Sequence, residues 1–198
     1  MRLGVILLLI PAVLLLSGCV EKEETKSLEG KKVLMVIAPS DFRDEELLKP
    51  KEMFEKAGAE VIVVSSGVST AKGMLGTVVN VDADIREVNV ENFDAVIFVG
   101  GYGVEKHKLY DNPIYTSLAK KAYRENKVVG AICLAPTILA SADILKNRSA
   151  TVFPTAKQYI EKKGAIYTDK DVVVSGRVVT AKDTSTAEKF AEEIMRLM

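Results

Sequence analysis

The sequence has no tryptophan, one histidine and two cysteines, and its 27 acidic and 27 basic residues cancel to a formal net charge of zero. Each shortage removes a class of function. A chain without net charge has no overall field to gather nucleic acid, so no nucleic-acid partner is expected. A single histidine and no cysteine cluster leave no metal-ligand spacing, so neither a zinc site nor any other cofactor is expected. There are no internal repeats, and the only compositionally biased tract is a short polar stretch near the start. What remains is 198 residues that are 48% hydrophobic, enough for one sizeable core and short for two. One folded domain is expected.

The first residues read as a targeting segment rather than as part of that domain. Met1-Arg2 gives a small positive start, Leu3 to Leu16 is apolar but for Gly4 and Pro11, and LSGC at 16–19 ends the run with small residues. Residues 1–18 are therefore expected to be a signal peptide. The leucine, two small residues and cysteine resemble a lipobox, which implies that Cys19 is lipidated and becomes the new N-terminus. The alternative is an uncleaved signal anchor, because the run to Val20 reaches the lower edge of membrane-spanning length. Either reading places the protein outside the cytoplasm and on a membrane. Residues 19–30 then form a lipidated cysteine and a polar tether (EKEETKSLEG), and the domain occupies 31–198.

Cys133 is then a lone thiol, since a disulfide between a tether residue and a buried seam is hard to justify. Such a cysteine is either inert in a core or present for its reactivity.

From residue 31 onward, short apolar runs alternate with amphipathic segments. KKVLMVIAP (31–39), EVIVVSS (60–66), FDAVIFVGG (93–101) and VVGAI (128–132) predict buried strands. Residues 44–58, 112–127, 135–145 and 185–198 predict helices, the second opened by Asn112-Pro113. GVSTAKGMLGTVVNVDADI (67–85) predicts a hairpin or edge excursion, and DVVVSGRVVTAK (171–182) a hairpin turned at Ser175-Gly176. The alternation predicts an α/β fold: a doubly wound, mostly parallel sheet with helices on both faces, flavodoxin-like, with ligands at the carboxyl ends of the strands.

Three features converge on that edge. Cys133 ends a strand and begins a helix, with Ala131 and Ala135 as small neighbours, so it is expected on a nucleophile elbow. Unpaired N–H groups and the helix dipole at such a bend favour a thiolate. Gly101, at the end of the neighbouring strand, and Leu134, after the cysteine, are candidate backbone donors to a developing oxyanion.

The motifs VGG (99–101), AICLAPTILASADILKNR (131–148) and DFRDEELLKP (41–50) together resemble the PfpI-type family, and the resemblance runs from about Lys31 to the C-terminus. That superfamily includes intracellular cysteine peptidases and the human parkinsonism-associated protein deglycase, and it is similar to class I glutamine amidotransferase domains. The resemblance implies that Glu46, four residues before Pro50, points at Cys133, and that Glu45 faces solvent. VVTAKDTSTAEKFA (178–191) also fits, with Lys182 where the family usually has arginine. It further implies a homo-oligomer, for which the 67–85 segment is a candidate interface. Physically, a carboxyl group held against an elbow thiol in a desolvated cleft has its pKa raised and shares one negative charge with the sulfur.

The departures from the family shape the functional reading. Peptidase-like relatives carry histidine where this chain has Leu134, and deglycase-like relatives carry one where it has Phe153-Pro154. His107 is the remaining candidate base. Without a base to serve a poor leaving group, amide hydrolysis loses a factor on the order of a hundred to ten thousand. The expected activity is a thiol-dependent hydrolase or lyase reaction on small carbonyl compounds, their adducts or peptides. The alternatives are a redox or stress-response protein that works through oxidation of Cys133, and a lipid-anchored binding module.

Overall fold

Short aliphatic runs become the strands of one sheet. The computed structural model describes residues 26–198, so the expected signal peptide, Cys19 and the start of the expected tether lie outside the described residues. The strands and helices are β1 (Lys32–Val36), α1 (Asp44–Lys56), β2 (Glu60–Ser65), β3 (Thr70–Lys72), β4 (Val78–Asn80), β5 (Ala83–Asp84), β6 (Ala95–Phe98), α2 (Gly103–Lys106) and α3 (Pro113–Arg124). There follow β7 (Val128–Ile132), α4 (Pro136–Ser141), β8 (Ser149–Ala150), α5 (Lys157–Lys162), β9 (Ile166–Tyr167), β10 (Val172–Ser175), β11 (Val178–Ala181) and α6 (Ala187–Leu197).

The seven-stranded sheet runs β10-β11-β7-β6-β1-β2-β5, and every pairing in it is parallel except β10 with β11. Buried on both faces, β1, β6 and β7 have near-continuous apolar sequences. One face carries the core of α3, α4 and α5, built on Leu34, Phe98, Tyr115 and Leu139; the other carries α1 and α6, built on Phe42, Phe54, Ile97 and Phe190. Gly130 makes the second packing possible, because a Cβ there would lie 2.8 Å from Phe190 Cζ and 2.9 Å from Ile194 Cδ1. The chain leaves β1 for β2 on one side and later returns to β6 on the other. Crevices for ligands open at such a reversal of strand order.

The doubly wound architecture matches the expectation, and the differences are local. The 67–85 segment forms the antiparallel pair β3–β4 and then adds the edge strand β5 to the main sheet. The late hairpin turns at Gly176-Arg177, one residue beyond the expected dipeptide, because Ser175 pairs with Val178. The helix expected over 135–145 ends at Ser141, and Asp143 follows with φ of 61°. Order also begins before residue 31: Leu28 is fully buried and its N–H donates to the Ala57 carbonyl at 2.7 Å. An apolar residue inside a polar tract gave that segment a foothold on the domain. Among the described residues no helix is long and apolar enough to cross a membrane.

Candidate active site

The site forms where the carboxyl ends of β1, β6 and β7 meet the first turn of α1. Cys133 follows β7 directly with φ of 61°, a left-handed conformation that costs a non-glycine residue about 1–3 kcal/mol. Its backbone is fixed at both ends: the N–H donates to Ala181 O at 3.0 Å, and the carbonyl accepts from Phe153 N–H at 2.9 Å. The side chain is thereby aimed up from the sheet.

Glu46 reaches the same point from α1, and its residue is fully buried. Its Oε2 accepts the Gly100 N–H at 3.1 Å and its Oε1 accepts the Thr184 hydroxyl at 2.8 Å. Pro50, inside α1, has no N–H to give the Glu46 carbonyl, which loosens the helix beside the site. The glycine pair after β6 is a steric requirement. A Cβ on Gly100 would lie 2.6 Å from Glu46 Oε2 and 2.7 Å from Cys133 Cβ, so only a bare backbone lets carboxyl and thiol converge. Gly101 has φ of 106°, and a Cβ there would lie 2.4 Å from Arg43 N.

The N–H groups of Gly101 and Leu134 flank the Cys133 side chain. They favour negative charge there, but two larger effects oppose them. Burial pushes the Cys133 thiol up, and the Glu46 carboxylate pushes it further. Burial also pushes Glu46 up to about 7, against hydrogen bonds from Thr184, Cys133 and Gly100 that favour its charged form. With Glu46 titrating at about 7 and the thiol raised well above its ordinary range, the pair carries at most one negative charge near neutral pH, and that charge rests on Glu46. The elbow alone favours a thiolate; desolvation tips the resting state toward the thiol instead.

The structure thus brings Cys133, Glu46, Gly101 and Leu134 together, and it places the other candidates elsewhere. His107 Nε2 lies 3.0 Å from Ser40 Oγ, and its hydrogen-bond partner is that hydroxyl rather than the thiol or Glu46. Glu45 is partly exposed and pairs with Arg43 at 2.9 Å. Phe153, where a histidine was looked for, meets the elbow through its backbone. Thr184, whose hydroxyl grips the Glu46 carboxyl, is not among the residues that the sequence motifs point to. Asp183 caps the turn that carries it through Ser185 N at 2.9 Å, and this Asp-Thr-Ser-Thr capping pattern was the available signal. Among the described residues no group of three or more acidic, histidine or cysteine side chains could hold a metal.

The DJ-1/PfpI family profile matches residues 31–197. The chain belongs to the DJ-1/PfpI family. An uncharacterised protein of Methanocaldococcus jannaschii is 45% identical over 98% of this chain and 96% of its own. A deglycase of Pyrococcus horikoshii is 34% identical over 84% of this chain and 99% of its own. A ThiJ/PfpI domain protein of Brachyspira murdochii superimposes with a TM-score of 0.81 at 34% identity, covering 85% of this chain and 97% of the other.

Proposed function

We propose that this DJ-1/PfpI protein is a thiol-dependent enzyme acting on small reactive carbonyl compounds or their adducts. The observation that carries the reading is the convergence of Glu46 and Cys133 over Gly100, with the Gly101 and Leu134 amides beside them. As the thiol adds to an aldehyde carbon, the S–C bond forms and the thiol proton passes to the Glu46 carboxylate. The carbonyl π electrons move to oxygen, where the two N–H groups accept the charge. Glu46, titrating near 7, can return the proton in the reverse or onward step. Aldehyde chemistry suits a site without histidine, since no amine leaving group needs protonation. The raised thiol weighs against the redox reading, because ready oxidation follows thiolate character. The test is turnover of glyoxal by the purified protein beside Cys133→Ser and Glu46→Gln; saturable consumption that survives both substitutions would refute the proposal.

The proposal extends to location and assembly. The apolar run ending in LSGC supports a lipid anchor at Cys19 and an extracytoplasmic domain, and mass spectrometry of the membrane-extracted N-terminus tests it by the presence or absence of the diacylglyceryl mass. Met74, Leu75 and Val78 are exposed on and beside the β3–β4 hairpin, which supports homo-oligomer contacts there. Light scattering of Leu75→Glu against the native chain tests that part, a unchanged mass counting against it.

A further inference from the structure

At the opposite end of the sheet, below the amino ends of β7 and β11, lies a second cleft of about 420 Å³. It is lined by Tyr123, Arg124, Asn126, Lys127, Arg148 and Arg177, with Gly176 completing the wall. Four of these side chains are cationic and none is acidic. Among the described residues none of the four cations forms a salt bridge. Two acids lie nearby in sequence or field: Asp94, which feels Lys127, pairs with Lys31 at 2.8 Å, and Glu125 pairs with Lys121 at 3.6 Å.

Three of the four cations are held in position rather than left to splay. Arg148 donates through Nη2 to the Tyr123 hydroxyl and through Nη1 to Ser175 O at 3.3 Å, and its guanidinium lies 5.2 Å above the Tyr123 ring. Arg177 is tied by Nη1 to Leu197 O at 3.2 Å, while its Nε is buried with no acceptor. Lys127 donates to Glu91 O at 2.9 Å. Fixing like charges around one cavity is unfavourable unless an anion completes it, and orphaning a buried N–H adds to the cost.

We infer that this cleft binds a phosphate group carried on a small organic body. Ordered arginine forks match the oxygens of a phosphate. The volume exceeds what a bare ion fills and falls in the usual range for small-molecule sites. Such a group is available either from a soluble phosphate ester or from a phospholipid headgroup. The headgroup source rests on the lipid anchor proposed at Cys19, since Lys26, seven residues later, donates through Nζ to Arg196 O at 3.3 Å, one residue from the carbonyl that holds Arg177.

The test is calorimetry on the full chain in non-ionic detergent with glycerol phosphate, with glycerol as control, and with short-chain phosphatidylglycerol below its micelle concentration. Saturable binding of glycerol phosphate but not glycerol is expected, weakened about tenfold or more by Arg148→Gln with Arg177→Gln. Arg124→Gln, which removes no hydrogen bond described above, is expected to weaken it about threefold. Melting temperature without ligand checks that the variants fold. Tighter binding of the short-chain lipid than of glycerol phosphate assigns the headgroup as the source, and equal affinity assigns a soluble ester. Failure of both probes to bind, or binding indifferent to Arg124→Gln, overturns the inference.

Discussion

The two ends of the sheet manage charge by opposite means. At the carboxyl end the charge rests on one buried acid beside a thiol, and it is steadied by the Gly100 N–H and the Thr184 hydroxyl. At the amino end four long cationic side chains surround a cleft with no acid to answer them. Peptide amides have fixed directions and little freedom to lose, so they suit a site where charge must be held within tenths of an ångström of a reacting atom. Long side chains carry full charge and adapt, which suits capture of a charged ligand.

The sharpest way to break this contrast is to crowd the carboxyl end. Gly100→Ala inserts a methyl group 2.6 Å from Glu46 Oε2, and carbonyl turnover is expected to fall by about a thousandfold, as for a misplaced catalytic group. Kinetic assay of a variant shown by circular dichroism to be folded decides this. Next comes Glu46→Gln, which keeps the shape but removes the proton acceptor. A loss of about a hundredfold or more is expected. Alkylation of Cys133 in the native protein should quicken as pH rises through about 7, and that step should vanish in the variant.

The same carboxyl leaves a mark on stability. Glu46 titrates near 4.5 when unfolded and about 7 when folded, so between those values the folded state binds more protons. Its contribution is fully present below the lower value and is lost as pH rises through the upper one, about 3 kcal/mol in all. Urea titrations at pH 4.5 and pH 8 should show a fall across this window that Glu46→Gln removes; an equal fall in the variant would assign it to other groups. The smallest effect is expected from Thr184→Val. Loss of that donor raises Glu46 further, moving the alkylation step to higher pH by about half a unit to one unit.

Much of the carboxyl end was legible because its residues lie in runs whose chemistry is local. VVGAI forms β7 at its expected bounds, and the glycine pair and the cysteine follow their strands as the apolar runs imply. Thr184 was not legible in the same way, since its contact with Glu46 spans 138 positions and a threonine after a capping aspartate reads as ordinary turn chemistry. The resting charge on the pair was also misread: sequence shows the elbow, but not how deeply neighbouring side chains desolvate it. The amino-end cleft was hidden by its own composition. Arg124, Lys127, Arg148 and Arg177 arrive from three stretches of chain, and a net charge of zero averages away a surplus that only folding gathers.

The left-handed backbone at Cys133 has one more consequence. A residue held at φ of 61° would rest there more easily as glycine or asparagine, so the backbone gains nothing from a cysteine at this point. Mutational drift that favours thermal endurance alone would erase the thiol first, and the domain would keep its shape while losing its chemistry.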